Sequence, residues 1–434
     1  MCENQHRKGF YIFLVFLLIF FLFTTKFHFQ SFLPNQIFSS TENHCSNIVK
    51  PFYDFLCENL SSNSIEFPLN KKNHICDELY STDEQPNFFS RLHWDFKAFE
   101  KTKIFFEDIE NMSNICVKCH HIQIIENKLY YVRRENSFNY ETRTESVLFL
   151  IQNMIETFSH LPDLDLFFNV QDVVDSKNEM ENVTFKLPIF AFTKTNSTKI
   201  GLRSQSIILM PCFTFWSWPE VHVGRWKNKF HSILHSAQQM KYENRLEKVF
   251  WRGVGGWKRD WLINITFKYP QIIDIKEIHW KKNIKGFPFD LSNSFTKLEN
   301  HCHYKYLAHL EGNSYSARLK YLLLCASPVI HSPIQNWQEF WYHLLINQTN
   351  ILFYQTNSLA LNQTIYLLTS NQTLSQQIGQ NGQNLVKKYL NEHAINCYWW
   401  KLIQQYSKLI SYKPILHKNA VHFDDFILLK STSS

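Results

Sequence analysis

The sequence predicts an α/β protein in which parallel sheets are covered by helices on both faces. From about residue 140 onward, helical patterns alternate with short apolar runs, and this alternation is typical of parallel sheets. The chain has 434 residues, of which 44% are hydrophobic, and this is enough to fill the cores of two ordinary domains. We therefore expect two such domains with a cleft between them.

A continuous apolar run at residues 10–23 lies within a segment at 9–25 that precedes these domains. It is shorter than the ~20 residues of a typical spanning helix, so a signal-peptide core and an uncleaved signal anchor both fit. Polar residues and Lys26 follow it instead of a small-residue cleavage site, which favours the anchor. The basic residues 6–8 predict a cytosolic N-terminus. We predict a single-pass type II protein of the endoplasmic reticulum or Golgi membrane, with a cytosolic tail at 1–8 and a stem at 26–45.

Two further features favour the lumen of the secretory pathway. Ten cysteines occur in the chain, and several are expected to pair in an oxidising compartment. Eight Asn-x-Ser/Thr sequons give mild additional support in this asparagine-rich sequence; they begin at Asn59, Asn111, Asn182, Asn196, Asn264, Asn347, Asn362 and Asn371. The net charge is +7 with no dense block of Lys and Arg, so no nucleic-acid partner is indicated.

The elements follow in order. The capping box Thr142-x-x-Glu145 predicts the start of a helix that Pro162 ends. Short apolar runs predict strands at 166–170, 188–192, 207–210, 249–251, 306–310 and 328–331. Helices are predicted from Asp260, at 317–324, and from Trp337 to about Tyr412.

Three of these strand ends carry polar groups, and ligands bind at the carboxyl ends of parallel strands. Asp172 follows the run at 166–170 and is a candidate general base for a hydroxyl group, although a loop or capping aspartate fits as well. The Gly-rich segment after Trp251 contains Arg252, Gly253 and Arg259. Its glycines and arginines suit a phosphate, and a surface turn with salt-bridged arginines is the alternative.

The third strand end, after Leu310, forms a candidate diphosphate cradle. It combines a glycine, two serine hydroxyls and an arginine between a strand and a helix. The alternative is a helix start capped by one of the serines. The candidate residues are Gly312, Asn313, Ser314, Tyr315, Ser316, Ala317 and Arg318.

Two other patterns leave alternatives open. Asp163 and Asp165 form a D-x-D pair that suits a metal site, but the pair precedes its strand and follows Pro162, so turn chemistry is favoured and no metal is expected. An aromatic stretch suits either a core segment or stacking on a sugar or peptide. It comprises Cys212, Phe213, Thr214, Phe215, Trp216, Ser217 and Trp218.

Taken in series, the motifs resemble the protein O-glucosyltransferases of the Rumi type, which share a domain with fungal capsule xylosyltransferases. The resemblance runs from about Lys118 to Tyr412. The similar segments are 161–172, 188–194, 210–216, 224–226, 250–253, 302–306, 316–320 and 397–399.

The resemblance implies a GT-B fold, with two Rossmann-like domains facing a cleft, and an inverting reaction without cofactor or metal. It implies UDP-glucose or UDP-xylose as donor and a serine of an epidermal-growth-factor-like repeat as acceptor. Asp172 matches the catalytic base, Arg259 and residues 313–318 match the diphosphate site, and residues 212–218 match the acceptor region. It also implies the disulfides Cys302–Cys325 and Cys57–Cys397.

Domain bounds follow as an acceptor-side domain at 46–225, a nucleotide-sugar domain with closing helices at 226–412, and a tail at 413–434. Two alternatives stay open, a xylosyltransferase that builds a glycan and a lumenal binding protein without activity. The second is favoured by Val254, where relatives have a serine. Retention of Asp172, Arg259 and Arg318 together favours an active enzyme.

Overall fold

The structure is a computed structural model of the chain. It describes residues 76–79, 87–116, 118–134, 141–174, 187–195, 206–256, 259–267, 269–282, 288–290, 294–355 and 357–431. The predicted anchor at 9–25 and stem at 26–45 lie outside the described residues. None of the helices in the described part of the chain combines the length and the apolar character needed to cross a bilayer.

The described strands and helices alternate through most of the chain. The strands are β1 (His120–Ile125), β2 (Lys128–Val132), β3 (Leu164–Phe168), β4 (Ile189–Ala191), β5 (Lys194–Thr195), β6 (Ile207–Leu209), β7 (Ser217–Trp218), β8 (Gly224–Arg225), β9 (Leu246–Gly253), β10 (Ile273–Glu277), β11 (Trp280–Lys282), β12 (Pro288–Asp290), β13 (Tyr304–Leu310), β14 (Val329–Ser332), β15 (Trp337–Gln338), β16 (Leu352–Phe353) and β17 (Ala420–His422). The helices are α1 (Ser90–Phe96), α2 (Phe106–Ile115), α3 (Glu141–Thr157), α4 (Trp226–Gln239), α5 (Asp260–Ile265), α6 (Leu319–Leu323), α7 (Ser358–Ser370), α8 (Gln372–Tyr389), α9 (Glu392–Ser407) and α10 (Phe423–Ser431).

The first sheet has six strands in the order β17-β2-β1-β3-β4-β6. β3, β4 and β6 are parallel, whereas β17, β2, β1 and β3 pair antiparallel. The hairpin between β1 and β2 turns at Glu126 and Asn127, which both have positive φ, as a two-residue type I′ turn requires. The predicted strands of this half, β3, β4 and β6, are parallel as expected. The antiparallel strands β1 and β2 precede residue 140, where the predicted alternation begins, and β17 lies in the predicted tail.

The second sheet has five strands in the order β10-β9-β13-β14-β16, and every pair is parallel. Its central strand β13 is buried on both faces: every residue after Tyr304 is buried. Parallel strands end at one common edge, so the chain leaves β9 at Gly253 and β13 at Leu310 side by side. The α/β class and the predicted strand ends are confirmed here.

The C-terminal helices pack across the molecule against the first sheet. Tyr398 in α9 donates a hydrogen bond to the Leu209 carbonyl (3.2 Å), and Trp400 stacks on Phe158 with ring centroids 5.1 Å apart. Residues 413–434, which we predicted to be a tail, contribute β17 to the first sheet and the helix α10. The buried Phe426 explains this, because α10 covers the sheet with it.

Three disulfides join described cysteines. Cys302 pairs with Cys325, as the resemblance implied, and Cys116 pairs with Cys119. The implied pair Cys57–Cys397 is wrong, because Cys397 is bonded to Cys76. Cys57 lies outside the described residues. Cys212 is a buried free thiol.

Candidate active site

A cavity of about 1120 Å³ receives residues from both sheets. Asp172 enters it just after β3, and the ends of β9 and β13 contribute Arg252, Gly253 and Gly312. The three strand ends selected from the sequence therefore meet in one cavity, as expected for the carboxyl edges of parallel strands.

Local hydrogen bonds position Asp172. The side-chain Oδ1 of the buried Asn169 accepts a hydrogen bond from the backbone N–H of Gln171 (2.8 Å). The backbone N–H of Asn169 donates to the Phe190 carbonyl (2.8 Å). These bonds fix the turn that follows β3. The Asp172 side chain is 41% exposed, and its Oδ1 lies 2.8 Å from Nη1 of Arg143 in α3. A carboxylate that is partly solvent-exposed and held in place is able to accept a proton from a bound hydroxyl.

The Gly-rich segment after β9 brings its backbone close to other groups. A Cβ at Gly253 would lie 2.5 Å from the Trp251 ring, and one at Gly255 would lie 2.4 Å from Oε1 of Glu277. The Gly255 amide donates to that same carboxylate oxygen (2.9 Å). Close packing against the buried Trp251 ring therefore favours glycine at 253, whereas the flexible Glu277 side chain could move away from a Cβ at 255. Gly256 has φ +126°, which favours glycine.

Arg259 and Arg318 both line the cavity. Arg259 directly precedes helix α5, and Arg318 directly precedes helix α6. Arg259 donates from Nε to the Glu311 carbonyl (2.9 Å) and from Nη1 to the Val254 carbonyl (2.8 Å). Arg318 donates to the Arg252 carbonyl. Both guanidinium groups lie beside the Trp251 ring; Cζ of Arg259 is 5.6 Å and Cζ of Arg318 is 5.4 Å from the ring centroid.

The charges of these two arginines are not neutralised within the described part of the chain, where neither forms a salt bridge. Burial lowers the pKa of Arg259, and burial together with the charge of Arg259 lowers the pKa of Arg318 to about 9. Both remain protonated at neutral pH. Two neighbouring arginines whose positive charges repel each other in a partly buried site are stabilised when an anion binds between them.

Arg252 differs from these two arginines. It lines the cavity, but its guanidinium is bonded to the Asp274 carboxylate (2.9 Å) and to the Asp274 carbonyl (2.8 Å). It also lies over the Phe250 ring at 4.2 Å. Because Asp274 already balances its charge, Arg252 is suited to fixing the end of β9 more than to binding an anion.

The predicted cradle after β13 lines the cavity except for one residue. Gly312, Asn313, Tyr315, Ser316, Ala317 and Arg318 line it, whereas Ser314 does not and its Oγ is buried. The helix α6 begins after Arg318 and has no side-chain cap. The alternative prediction, in which a serine caps this helix, is therefore wrong.

The predicted acceptor stretch at 212–218 divides in two. Phe213 and Trp218 line the cavity. Cys212 and Thr214 have no exposed surface and contact each other (2.9 Å), Phe215 is nearly buried, and Trp216 stacks on Phe149 at 4.8 Å. Ser217 is half-buried in β7 and does not line the cavity. In this structure a ligand would meet the stretch through its two cavity-lining aromatic rings.

Several cavity residues had no recognisable pattern in the sequence. They include Arg143 and Glu299, which lie far from Asp172 along the chain. Glu311, directly before the predicted cradle, does not line the cavity; it is buried, and its carboxylate accepts hydrogen bonds from the amides of Gln335 (2.7 Å) and Trp337 (2.9 Å). These side chains act through tertiary contacts, which no short motif encodes.

The carboxylates of the D-x-D pair lie outside this cavity. Asp163 accepts a hydrogen bond from the Glu126 amide (2.8 Å) in the β1–β2 turn. Asp165 is buried between His121 (2.7 Å) and the Tyr412 hydroxyl (2.6 Å). Among the residues that the structure describes, no cluster of three or more His, Cys, Asp or Glu side chains is arranged to hold a metal ion.

Comparison with known proteins identifies the family. The model of glycosyl transferase family 90 matches residues 80–431. The chain belongs to glycosyl transferase family 90. It is 30% identical to human protein O-glucosyltransferase 1 over 311 residues, which cover 69% of this chain and 74% of the relative. It is 28% identical to the O-glucosyltransferase rumi of Drosophila melanogaster over 337 residues, which cover 74% of this chain and 77% of the relative.

The family 90 chain is thus a glycosyltransferase, and the resemblance to protein O-glucosyltransferases is confirmed. Among solved structures, Anabaena Alr3699/HepE in complex with UDP and glucose is similar over 52% of this chain and 64% of its own. It is 11% identical with a TM-score of 0.32, which is too low to support any statement about this site.

Proposed function

We propose that this family 90 enzyme transfers glucose or xylose from a UDP-sugar to a serine hydroxyl of a secretory-pathway protein, with inversion at the anomeric carbon. The acceptor is an epidermal-growth-factor-like repeat. One observation carries the proposal: a carboxylate, Asp172, shares a cavity with Arg259 and Arg318, two cations without an acidic partner in the described part of the chain. The names of its relatives support glucosyl transfer to protein.

The proposed step divides between the two sides of the cavity. Asp172 takes the proton as the serine oxygen bonds to the anomeric carbon, and the bond from that carbon to the phosphate oxygen breaks on the opposite face. The departing UDP gains negative charge, which Arg259 and Arg318 balance together with backbone N–H groups. Donors that are oriented before the reaction stabilise such charge without reorganisation.

We further propose GT-B architecture, with the acceptor-side half at 46–225 and the nucleotide-sugar half at 226–412. We also propose a type II anchor at 9–25 that holds the catalytic part in the lumen of the endoplasmic reticulum or Golgi. The disulfides Cys76–Cys397 and Cys302–Cys325 support a lumenal location, because such bonds persist in oxidising compartments.

The test is a transfer assay with the purified protein, a panel of UDP-sugars and a folded repeat, in which the added mass identifies the sugar. We expect Asp172→Asn to bind UDP and to lose transfer by about 10²-fold or more. Asp163→Asn, the same change at a turn aspartate outside the cavity, is the matched control and should retain transfer. Wild-type turnover in Asp172→Asn would discard the base, and UDP binding without transfer in the wild type would favour the inactive binding protein.

A further inference from the structure

Arg143 reaches the cavity from helix α3, 29 residues before Asp172 in the chain. Its Nη1 donates to Oδ1 of Asp172 (2.8 Å) and lies 3.2 Å from the Val170 carbonyl. The Arg143 side chain is only 16% exposed, whereas that of Asp172 is 41% exposed. The guanidinium therefore approaches the carboxylate from the protein side and leaves the opposite side accessible.

The same guanidinium faces the tip of the β7–β8 hairpin. Its Nε lies 3.5 Å from Oε1 of Glu220, and the Thr142 hydroxyl donates to that oxygen (2.7 Å). The hairpin tip also contributes Val221 and His222 to the cavity lining. Arg143 is thus in contact with the carboxylate and with the aromatic hairpin on the acceptor side of the cavity.

We propose that Arg143 is a positioning residue for sugar transfer, which holds the Asp172 carboxylate and the hairpin tip at Glu220 in one fixed arrangement. The proposal rests on the proposed role of Asp172 as general base. Since Oδ1 is engaged by Arg143, Oδ2 is the oxygen left for the acceptor hydroxyl, and it has no hydrogen-bond partner among the described residues. One carboxylate oxygen is thereby assigned to orientation and the other to the proton.

Arg143 stays charged in this environment. Burial lowers the pKa of Arg143, but the carboxylates of Asp172 and Glu220 outweigh it, and the net pKa shift is upward. Tyr315 also faces both Arg143 and Asp172, and burial raises its pKa, so that it stays neutral at neutral pH. Arg143 is consequently a permanent cation beside the Asp172 carboxylate.

A purely structural ion pair would make a different prediction. Its loss would lower the stability of the fold and the amount of active enzyme, but kcat and the acceptor KM of the enzyme that remains folded would not move. A positioning role predicts a division between kinetic constants. kcat and the acceptor KM should change, because Arg143 contacts Asp172 and the hairpin at Glu220. The donor KM should stay near its wild-type value, because the proposed diphosphate site is formed by Arg259 and Arg318.

The experiment measures kcat, the acceptor KM and the donor KM for wild type, Arg143→Met and Arg143→Lys. We expect kcat of Arg143→Met to fall at least about tenfold and its acceptor KM to rise, with the donor KM near the wild-type value. Arg143→Lys keeps a cation and should restore kcat in part. Lys227→Met is the matched control; Lys227 is an exposed lysine of α4 that pairs with Glu392 (3.3 Å) outside the cavity, and the kinetic constants of this variant should equal those of the wild type.

Asp172→Asn is assayed in parallel to separate the two proposals. If Asp172→Asn is inactive and folded Arg143→Met keeps the wild-type kcat and acceptor KM, the role of Arg143 is overturned while that of the base stands. If Asp172→Asn is fully active, both fall. Should Arg143→Met fail to fold, Arg143→Lys decides, since a wild-type kcat and acceptor KM with one ammonium group would contradict the need for a guanidinium that contacts both Asp172 and Glu220.

Discussion

Replacing Arg318 by methionine is the most direct test of the anion site. Met has a similar length and keeps the apolar part of the side chain, but it removes one of the two charges that face each other beside Trp251. Within the described residues neither Arg318 nor Arg259 has an acidic partner. The substitution therefore leaves no buried carboxylate unpaired, and its effect should fall on the ligand more than on the fold.

The magnitude follows from the hydrogen bonds involved. One charge-assisted hydrogen bond to a phosphate oxygen is worth about 1.5–3 kcal/mol. This corresponds to a Kd for UDP that is about 10- to 150-fold weaker. In the free protein, the variant loses the hydrogen bond from Arg318 to the Arg252 carbonyl, worth about 1 kcal/mol. It also loses the repulsion by Arg259 that lowers the pKa of Arg318, so the Tm should stay close to that of the wild type.

Calorimetric titration with UDP measures the Kd, and thermal unfolding of the free protein measures the Tm. Lys248→Met is the control, because Lys248 lies in the same strand as Arg252 but near its other end, where Nζ is bonded to the Pro270 carbonyl (3.2 Å). A folded Arg318→Met protein that binds UDP as tightly as the wild type would refute the assignment of the anion site.

Three further predictions concern metal, disulfide and pH. EDTA should leave transfer largely intact in activity assays, and a strict requirement for manganese would instead favour the Asp163/Asp165 site. Replacing both Cys302 and Cys325, which are 23 residues apart, by serine should lower the free energy of unfolding by about 3 kcal/mol in urea; an unchanged midpoint would contradict this. Burial lowers the pKa of His331 to about 4 in the folded protein. As the pH falls below 6.5, His331 is protonated in the unfolded chain before it is protonated in the folded one. The free energy of unfolding should therefore drop by about 3 kcal/mol by pH 4. His331→Leu should reduce that slope in denaturation measured at several pH values, and an equal slope would exclude His331 as its cause.

Six strands of the two sheets were predicted, because each is a short apolar run between polar turns; β1, β2, β10, β16 and β17 were not. The run predicted at 166–170 is the strand Leu164–Phe168, and that predicted at 306–310 is Tyr304–Leu310. The polar groups at their ends line one cavity. Ligands bind at the carboxyl ends of parallel strands, but that two different sheets turn these ends toward one cavity is a property of the tertiary fold. The β1–β2 hairpin was not predicted, because it lies before residue 140, where the predicted alternation of helices and strands begins.

The partners of the site residues were not predictable from local patterns. Arg143 and Asp172 lie 29 residues apart, and no periodicity connects a helix start to a distant strand end. Arg252 and Arg259 look alike in the sequence, but only the tertiary fold brings Asp274 to Arg252 and neutralises it. Aromatic residues serve equally well in a core and in a sugar-binding face, so composition alone did not separate Trp216 from Trp218.

The disulfide Cys76–Cys397 connects residues 321 positions apart. A protease that cuts any single exposed loop between them would leave two fragments joined covalently, which would migrate as one species until a reducing agent is added. Any truncation that begins after residue 76 would leave Cys397 as a second unpaired thiol beside the core. The smallest stable fragment of this enzyme should therefore be bounded by this bond and not by the limits of either sheet.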